Sequence, residues 1–300
     1  MSLLKIYRFF LYGLLKLVGL CPRKIEIEPG TVVNVWGPTG ATKKPALVFI
    51  HGLGFDGVLT WQFQVFAFVK DYAVYVPDLV FFGGSVTDKA GRSAAFQAEC
   101  MARALRELGV ERCTVVGLSY GGMVSFKMAE MYPELVESMV VSGSVMAVTE
   151  SVGNGGIDRL GISSWGDFLL PVTAEGLESV VQVTSYNPSK LPKFIYKDLL
   201  IQGGMLDYRK ERLELLDALL ISDNEFTVPC YQQRIHLLWG EHDKLFDLDT
   251  ARYIKQQIGE KASLEWIEKA GHDVYMERPF EFNTRLKMIL ASFSSHRKDA

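Results

Sequence analysis

The sequence predicts an α/β fold, with a mostly parallel central sheet covered by helices on both faces. Three observations predict it. Apolar runs of strand length alternate with runs of helix length through the first half of the chain. The β-branched run Cys113–Val116 leads into Gly117-Leu118-Ser119-Tyr120-Gly121-Gly122, and a helical pattern follows over Met123–Met131. Two later strand-like runs, Ile235–Trp239 and Leu264–Ile267, end shortly before Asp243 and His272. A serine between small residues at a strand-to-helix turn is held above the sheet, because the two backbones approach too closely there for flanking side chains.

The elements follow in order. Residues 3–20 are mainly apolar, interrupted by Lys5, Arg8 and Lys16 and ended by Pro22. Lys5, Arg8, Tyr12 and Lys16 recur every three or four residues and share one side of a helix, while Leu3, Phe10, Leu14 and Leu17 cover much of the rest. That pattern favours an amphipathic helix lying on a membrane surface or docking over the substrate entrance. Three basic groups weigh against a membrane span. The absence of a long charge-free run before a small-residue cleavage site weighs against a signal peptide. Lys24–Ile27 and Thr31–Trp36 form an opening strand pair around Glu28-Pro29-Gly30. Strands are expected at 46–50, 73–76 and 136–141, and helices at 61–69 and 94–108, with Gly109 at the exit of the second. Between Ser142 and about Val228 the strand rhythm disappears: 153–156 reads as a flexible glycine-rich stretch, and 175–184, 190–201 and 208–221 read as helices. The expected division is 1–22 as an N-terminal helix, 23–145 and 229–300 as the two parts of one core, and 146–228 as a helical insertion.

Composition bounds the function. With 300 residues the chain can bury a large core. Lys and Arg total 32 against 35 Asp and Glu, a net charge of −3 with no basic stretch, which argues against nucleic acid as a partner. The 4 cysteines, at 21, 100, 113 and 230, are too scattered for a metal cluster or a compact disulfide framework, and Cys100 and Cys113 read as buried apolar residues.

With Ser119, Asp243 and His272 in that chain order, the sequence resembles the α/β-hydrolase superfamily, specifically its serine esterases and monoacylglycerol-lipase-like members with a helical cap. The resemblance covers nearly all of the chain beyond about residue 25, apart from a variable central segment. It implies Ser119 as nucleophile, His272, in a Gly-His turn, as base, and Asp243, in Trp239-Gly240-x-x-Asp243, as the acid that orients the histidine. Glu241 is a second candidate for the acid. The segment His51-Gly52-Leu53-Gly54 resembles the family's histidine-glycine loop, which implies an oxyanion hole from the backbone N–H groups of Leu53 and Tyr120. Tyr120 also begins a helix, where unpaired N–H groups face outward. His51 is expected to support its loop, and Asp78 and Ser85 to fix a turn. The resemblance also implies that the 146–228 insertion covers the serine as a cap. Phe55, Trp61, Met146, Phe168 and Phe194 are the expected substrate-binding residues, with Leu169, Leu170, Tyr196, Met205 and Leu206 as further channel candidates. Asp273 and Tyr275 depart from the apolar or histidine residues common at these positions and make the pocket edge more polar.

The implied reaction is acyl transfer to water from a hydrophobic small-molecule or lipid ester. It needs neither cofactor nor metal, and residues 1–22 would supply a peripheral membrane contact. The implied location is intracellular, in the cytoplasm or on the cytoplasmic face of a membrane. Epoxide hydrolases and haloalkane dehalogenases carry an aspartate where this chain has Ser119. Carbon-carbon bond hydrolases, thioesterases, cofactor-free haloperoxidases and hydrolase-like receptors remain compatible with the same three residues.

Overall fold

The computed structural model describes residues 2–295. The chain opens with α1 (Leu3–Leu17), then β1 (Leu20–Glu28), β2 (Thr31–Pro38), β3 (Ala46–Ile50), α2 (Gly57–Phe68), β4 (Ala73–Pro77), β5 (Val86–Thr87) and α3 (Ala94–Glu107). It continues through β6 (Cys113–Leu118), α4 (Tyr120–Met131), β7 (Val136–Ser142), β8 (Val148–Thr149), α5 (Glu150–Leu160), α6 (Trp165–Leu169), α7 (Ala174–Thr184), α8 (Lys193–Gln202) and α9 (Arg209–Asp217). The last part holds β9 (Leu220–Ile221), β10 (Arg234–Gly240), α10 (Leu248–Ile258), β11 (Ala262–Ile267), α11 (Val274–Glu277) and α12 (Pro279–Ser295).

The main sheet runs β1-β2-β4-β3-β6-β7-β10-β11, with β5 paired to β2. Pairs involving β2 are antiparallel, and those from β4 through β11 are parallel. Its parallel part is buried on both faces, which explains why those strands read as continuous apolar runs rather than alternating ones. Successive residues go to opposite sides. Val48 and Ile50 pack with residues of α3, α4 and α10, whereas Leu47 and Phe49 pack with those of α1, α2, α11 and α12.

Local differences from the sequence reading have physical causes. The first helix ends at Leu17 rather than at Pro22, because Gly19 turns the chain at φ +86° and β1 begins at Leu20. Pro22 sits within this edge strand, where a missing donor is tolerated. The helix expected at 61–69 begins a turn earlier, because the Asp56 carboxylate caps it by accepting from Leu59 N–H. The stretch 153–156 is not a flexible loop but the middle of α5. Its glycines serve close packing: a Cβ on Gly156 would lie 2.4 Å from the Trp165 ring, and the Trp165 indole N–H donates to the Gly153 carbonyl.

Between β7 and β10 lie α5 to α9 and the short parallel pair β8-β9. Helix α9 is tied to the turn after β4. Arg212 donates from Nε to the Phe81 carbonyl, and its guanidinium lies 4.1 Å from the centroid of the Phe82 ring.

Candidate active site

Ser119 occupies the turn between β6 and α4 at φ 52°, ψ −122°. A non-glycine residue in such a conformation costs about 1–3 kcal/mol and needs surrounding structure to hold it. Four bonds do so: Ser119 N–H donates to the Ser142 carbonyl, while its own carbonyl accepts from the N–H groups of Gly122 and Met123 and from the Ser144 hydroxyl. Gly121 is forced by space, since a Cβ there would lie 2.3 Å from the His51 carbonyl oxygen.

The loop after β10 carries Asp243, and the loop after β11 carries His272. Their side chains meet, with His272 Nδ1 2.9 Å from Asp243 Oδ2. Asp243 Oδ1 accepts from the N–H groups of Leu245 and Phe246, so the carboxylate is fixed at both oxygens. Glu241 turns elsewhere, toward the Lys269 N–H and the His242 ring. Asp243 is therefore the carboxylate that bonds His272. Burial disfavours the His272 cation, but the charge and hydrogen bond of Asp243, with Asp273 and Glu277 beyond, outweigh it and raise the pKa above the ordinary histidine value. Behind the pair lies Gly143 at φ 52°, where a Cβ would sit 2.7 Å from His272 Nδ1 and 3.0 Å from Asp243 Oδ2.

The histidine-glycine loop packs against the start of α4 and against the serine, where a Cβ on Gly52 would lie 3.3 Å from Ser119 Cβ. His51 Nε2 accepts from Leu79 N–H, which leaves Nδ1 as the donor to the Gly52 carbonyl. Burial lowers its pKa to about 4, so the ring is a neutral brace between two loops. Asp78 accepts from Gly57 N–H, Gly84 N–H and Asn34 Nδ2, and Ser85 Oγ donates to the Asp78 carbonyl. Burial and the nearby Asp56 raise the Asp78 pKa to about 7. Both residues fix loops. Leu53 borders the same cavity as Ser119, and Tyr120 is the first residue of α4, so its N–H has no carbonyl partner within that helix.

Two cavities meet at Ser119, sharing Leu53, Leu169 and Leu245. The first is walled by Met123, Val152, Trp165, Leu216, Leu219 and Phe246. The second is walled by Phe55, Thr60, Leu177, Val181, Thr184 and Met205, and also by His272, Asp273 and Tyr275. No lysine or arginine is among the described residues lining either one. Burial raises the pKa of Asp273, whose backbone N–H donates to the Thr184 carbonyl.

Of the expected pocket residues, Phe55 borders the second cavity. Trp61 does not; it is fully buried between Phe49, Tyr275 and Phe282, and the preceding Thr60 faces the cavity instead. Met146 belongs to the core, and Leu169 rather than Phe168 points into the site. Phe194 is 61% exposed on the outer side of α8, beside Leu3. Among the further candidates Met205 lines the second cavity, Leu170 and Tyr196 are buried, and Leu206 is 39% exposed. Trp165, Leu216, Leu219, Leu245 and Phe246 were not marked by the sequence, because nothing in their spacing distinguishes a cavity wall from a helix-helix contact.

Residues 45–158 match the model of the alpha/beta hydrolase fold family. The chain has the α/β-hydrolase fold. An uncharacterized protein of Mycobacterium tuberculosis is 24% identical over 260 residues, 79% of this chain and 73% of its own length. A 2-hydroxy-6-oxononadienedioate/2-hydroxy-6-oxononatrienedioate hydrolase of Burkholderia vietnamiensis is 26% identical and aligns over 88% of this chain and 92% of its own. Among solved structures, a bacterial membrane phospholipase A superposes with a TM-score of 0.80 at 22% identity, over 97% of this chain and 91% of that one. The fold is one that supports hydrolase activity.

Proposed function

We propose that the protein is a serine hydrolase that cleaves carboxylic esters of a hydrophobic small molecule or lipid through an acyl-enzyme. The observation that carries this reading is that Ser119 and His272 border one cavity while Asp243 holds the far nitrogen of the imidazole. With Nδ1–H donated to Asp243, Nε2 is the free base. It takes the Ser119 proton as Oγ attacks the ester carbonyl, and Asp243 stabilises the imidazolium that forms. The N–H groups of Leu53 and Tyr120 receive the oxyanion, a contribution of about 3–4 kcal/mol for each donor of this kind. His272 then returns its proton to the leaving alcohol. Water enters and His272 deprotonates it. The resulting hydroxide attacks the acyl carbonyl, and the acid leaves as Ser119 regains its proton.

The two cavities support one placement of the substrate halves. The leaving alcohol must sit on the side of His272, with Thr60, Thr184 and Asp273. The acyl chain then fills the cavity of Trp165, Leu216, Leu219 and Phe246, under the insertion acting as a cap. A dienedioate of the kind in the Burkholderia hydrolase's name carries two carboxylates. The lack of a lysine or arginine in either lining supports an uncharged ester over such a carbon-carbon substrate.

Steady-state hydrolysis of p-nitrophenyl esters from acetate to long chains, beside Ser119→Ala, tests this reading. The expected outcome is sustained turnover that needs Ser119 and is fastest with an acyl chain longer than acetate. A folded wild-type protein that binds esters without turning them over would instead indicate a ligand-binding role.

A further inference from the structure

Helix α1 departs from an ordinary surface helix, whose outward side is polar, because it presents apolar side chains to water as well as to the protein. Leu4, Leu11 and Leu15 are buried against the protein. Arg8 and Tyr12 also turn inward, toward a cavity they share with Asp56 and Asp78, while Lys5 and Lys16 stand exposed at its rim. Arg8 pairs with Asp56 at 2.5 Å. Apart from these two lysines the outward face is apolar: Leu3, Tyr7, Phe10, Leu14 and Leu17 are between 43% and 83% exposed. These five recur at intervals of four and three residues, so they form one continuous stripe along the helix. A helix docked by one apolar face and presenting a second to solvent lacks a partner for that second face.

We propose that this face docks on a lipid surface carrying anionic headgroups, with α1 lying flat on it. The stripe does not end at the helix. Leu3 shares a shallow open groove with Phe194, Ile201 and Lys197 of α8, and Asp198 of α8 caps α1 by accepting from Leu4 N–H. On the other flank Tyr7 bonds Gln62 of α2, and Phe66, one turn further along α2, is 38% exposed. Charge selects the occupant. Lys5 and Lys16 lie on α1 and Lys197 on α8, and α1 has no acidic residue. Their long stems reach to headgroup level from the edges of an apolar patch. A second copy stacked on the same stripe would bring these like charges together, whereas an anionic lipid surface neutralises them. No helix among the described residues is long and apolar enough to cross a membrane, so the contact is peripheral.

Flotation of the full chain with phosphatidylcholine vesicles, with and without phosphatidylglycerol, tests the assignment without requiring turnover, so its failure and that of the ester reading are distinguishable. Wild-type protein is expected to float, and more strongly with phosphatidylglycerol. Phe10→Glu with Leu14→Glu should weaken partitioning by at least about tenfold, while thermal unfolding and hydrolysis of a soluble short ester stay unchanged. Lys5→Glu with Lys16→Glu should erase the preference for the anionic lipid. Wild-type protein that stays with the aqueous fraction, or a Phe10/Leu14 variant that floats equally well, would overturn the proposal. So would a wild-type dimer, seen by light scattering, that ignores vesicles and that the same variant converts to monomer.

Discussion

The corner that holds Ser119, Asp243 and His272 and the two cavities above it are built by different means. In the corner, polar groups are fixed by bonds from strand-end loops: Asp243 accepts three, Asp78 accepts three, and the Ser119 carbonyl accepts from a hydroxyl as well as from backbone. The cavity walls come largely from short helices joined mainly by apolar contact. Helix α6 spans five residues, none of them buried, and the only buried residues of α5 are Gly153 and Gly156. Geometry is thus set by the sheet, while volume is set by elements held more weakly and free to adjust.

Substitutions can break or sharpen this contrast. In the corner, Ser119→Ala should lower kcat by about 10⁴–10⁶-fold without changing the fold, checked by ester turnover beside circular dichroism. Asp243→Asn keeps its size but loses the charge and favours the wrong imidazole tautomer; a kcat decrease of about 10⁴-fold is expected. A variant within tenfold of wild type would place the orienting acid elsewhere. Above the corner, Leu216→Trp should fill the cavity proposed for the acyl chain. Long-chain esters should lose about tenfold in kcat/KM while acetate is unaffected, and equal losses for both would show that the wall shapes the chemistry as well.

The smallest effect near neutral pH is the position of the acid limb. The base role proposed for His272 requires the neutral imidazole, and its pKa is raised, so kcat/KM should fall as pH drops through a value above 6.5. In Asp243→Asn the residual activity should have its limb at lower pH, because the anion that favours the imidazolium is gone. An unmoved limb would mean that another group titrates.

The same division explains what could be read from the chain. Strands such as Leu47–Ile50 and the Gly117–Gly122 turn announce themselves, since β-branched runs and enforced small residues have few other uses. The Asp243–His272 pairing follows from strand ends in a known order. Pocket walls do not. Thr60 and Trp61, or Phe168 and Leu169, differ by one position and so by more than a quarter turn of helix, and composition cannot say which faces inward. Gly153 and Gly156 read as flexible because glycine serves close packing and loose loops alike; only the Trp165 ring against α5 decides between them. Phe194 read as a pocket residue because an apolar side chain on a cap helix can face the cleft or the outside, and here it faces the α1 groove.

Gly143 extends the list of positions on which the corner depends. The residue takes no part in bond making, yet the added methyl of alanine would wedge between the imidazole and its carboxylate at a backbone angle that already disfavours it. A descendant of this chain could keep its serine, aspartate and histidine in perfect order and be an inert copy through that change alone. Sorting living members of such a lineage from dead ones by the three familiar letters would miss it; the glycine just after β7 has to be read as a fourth.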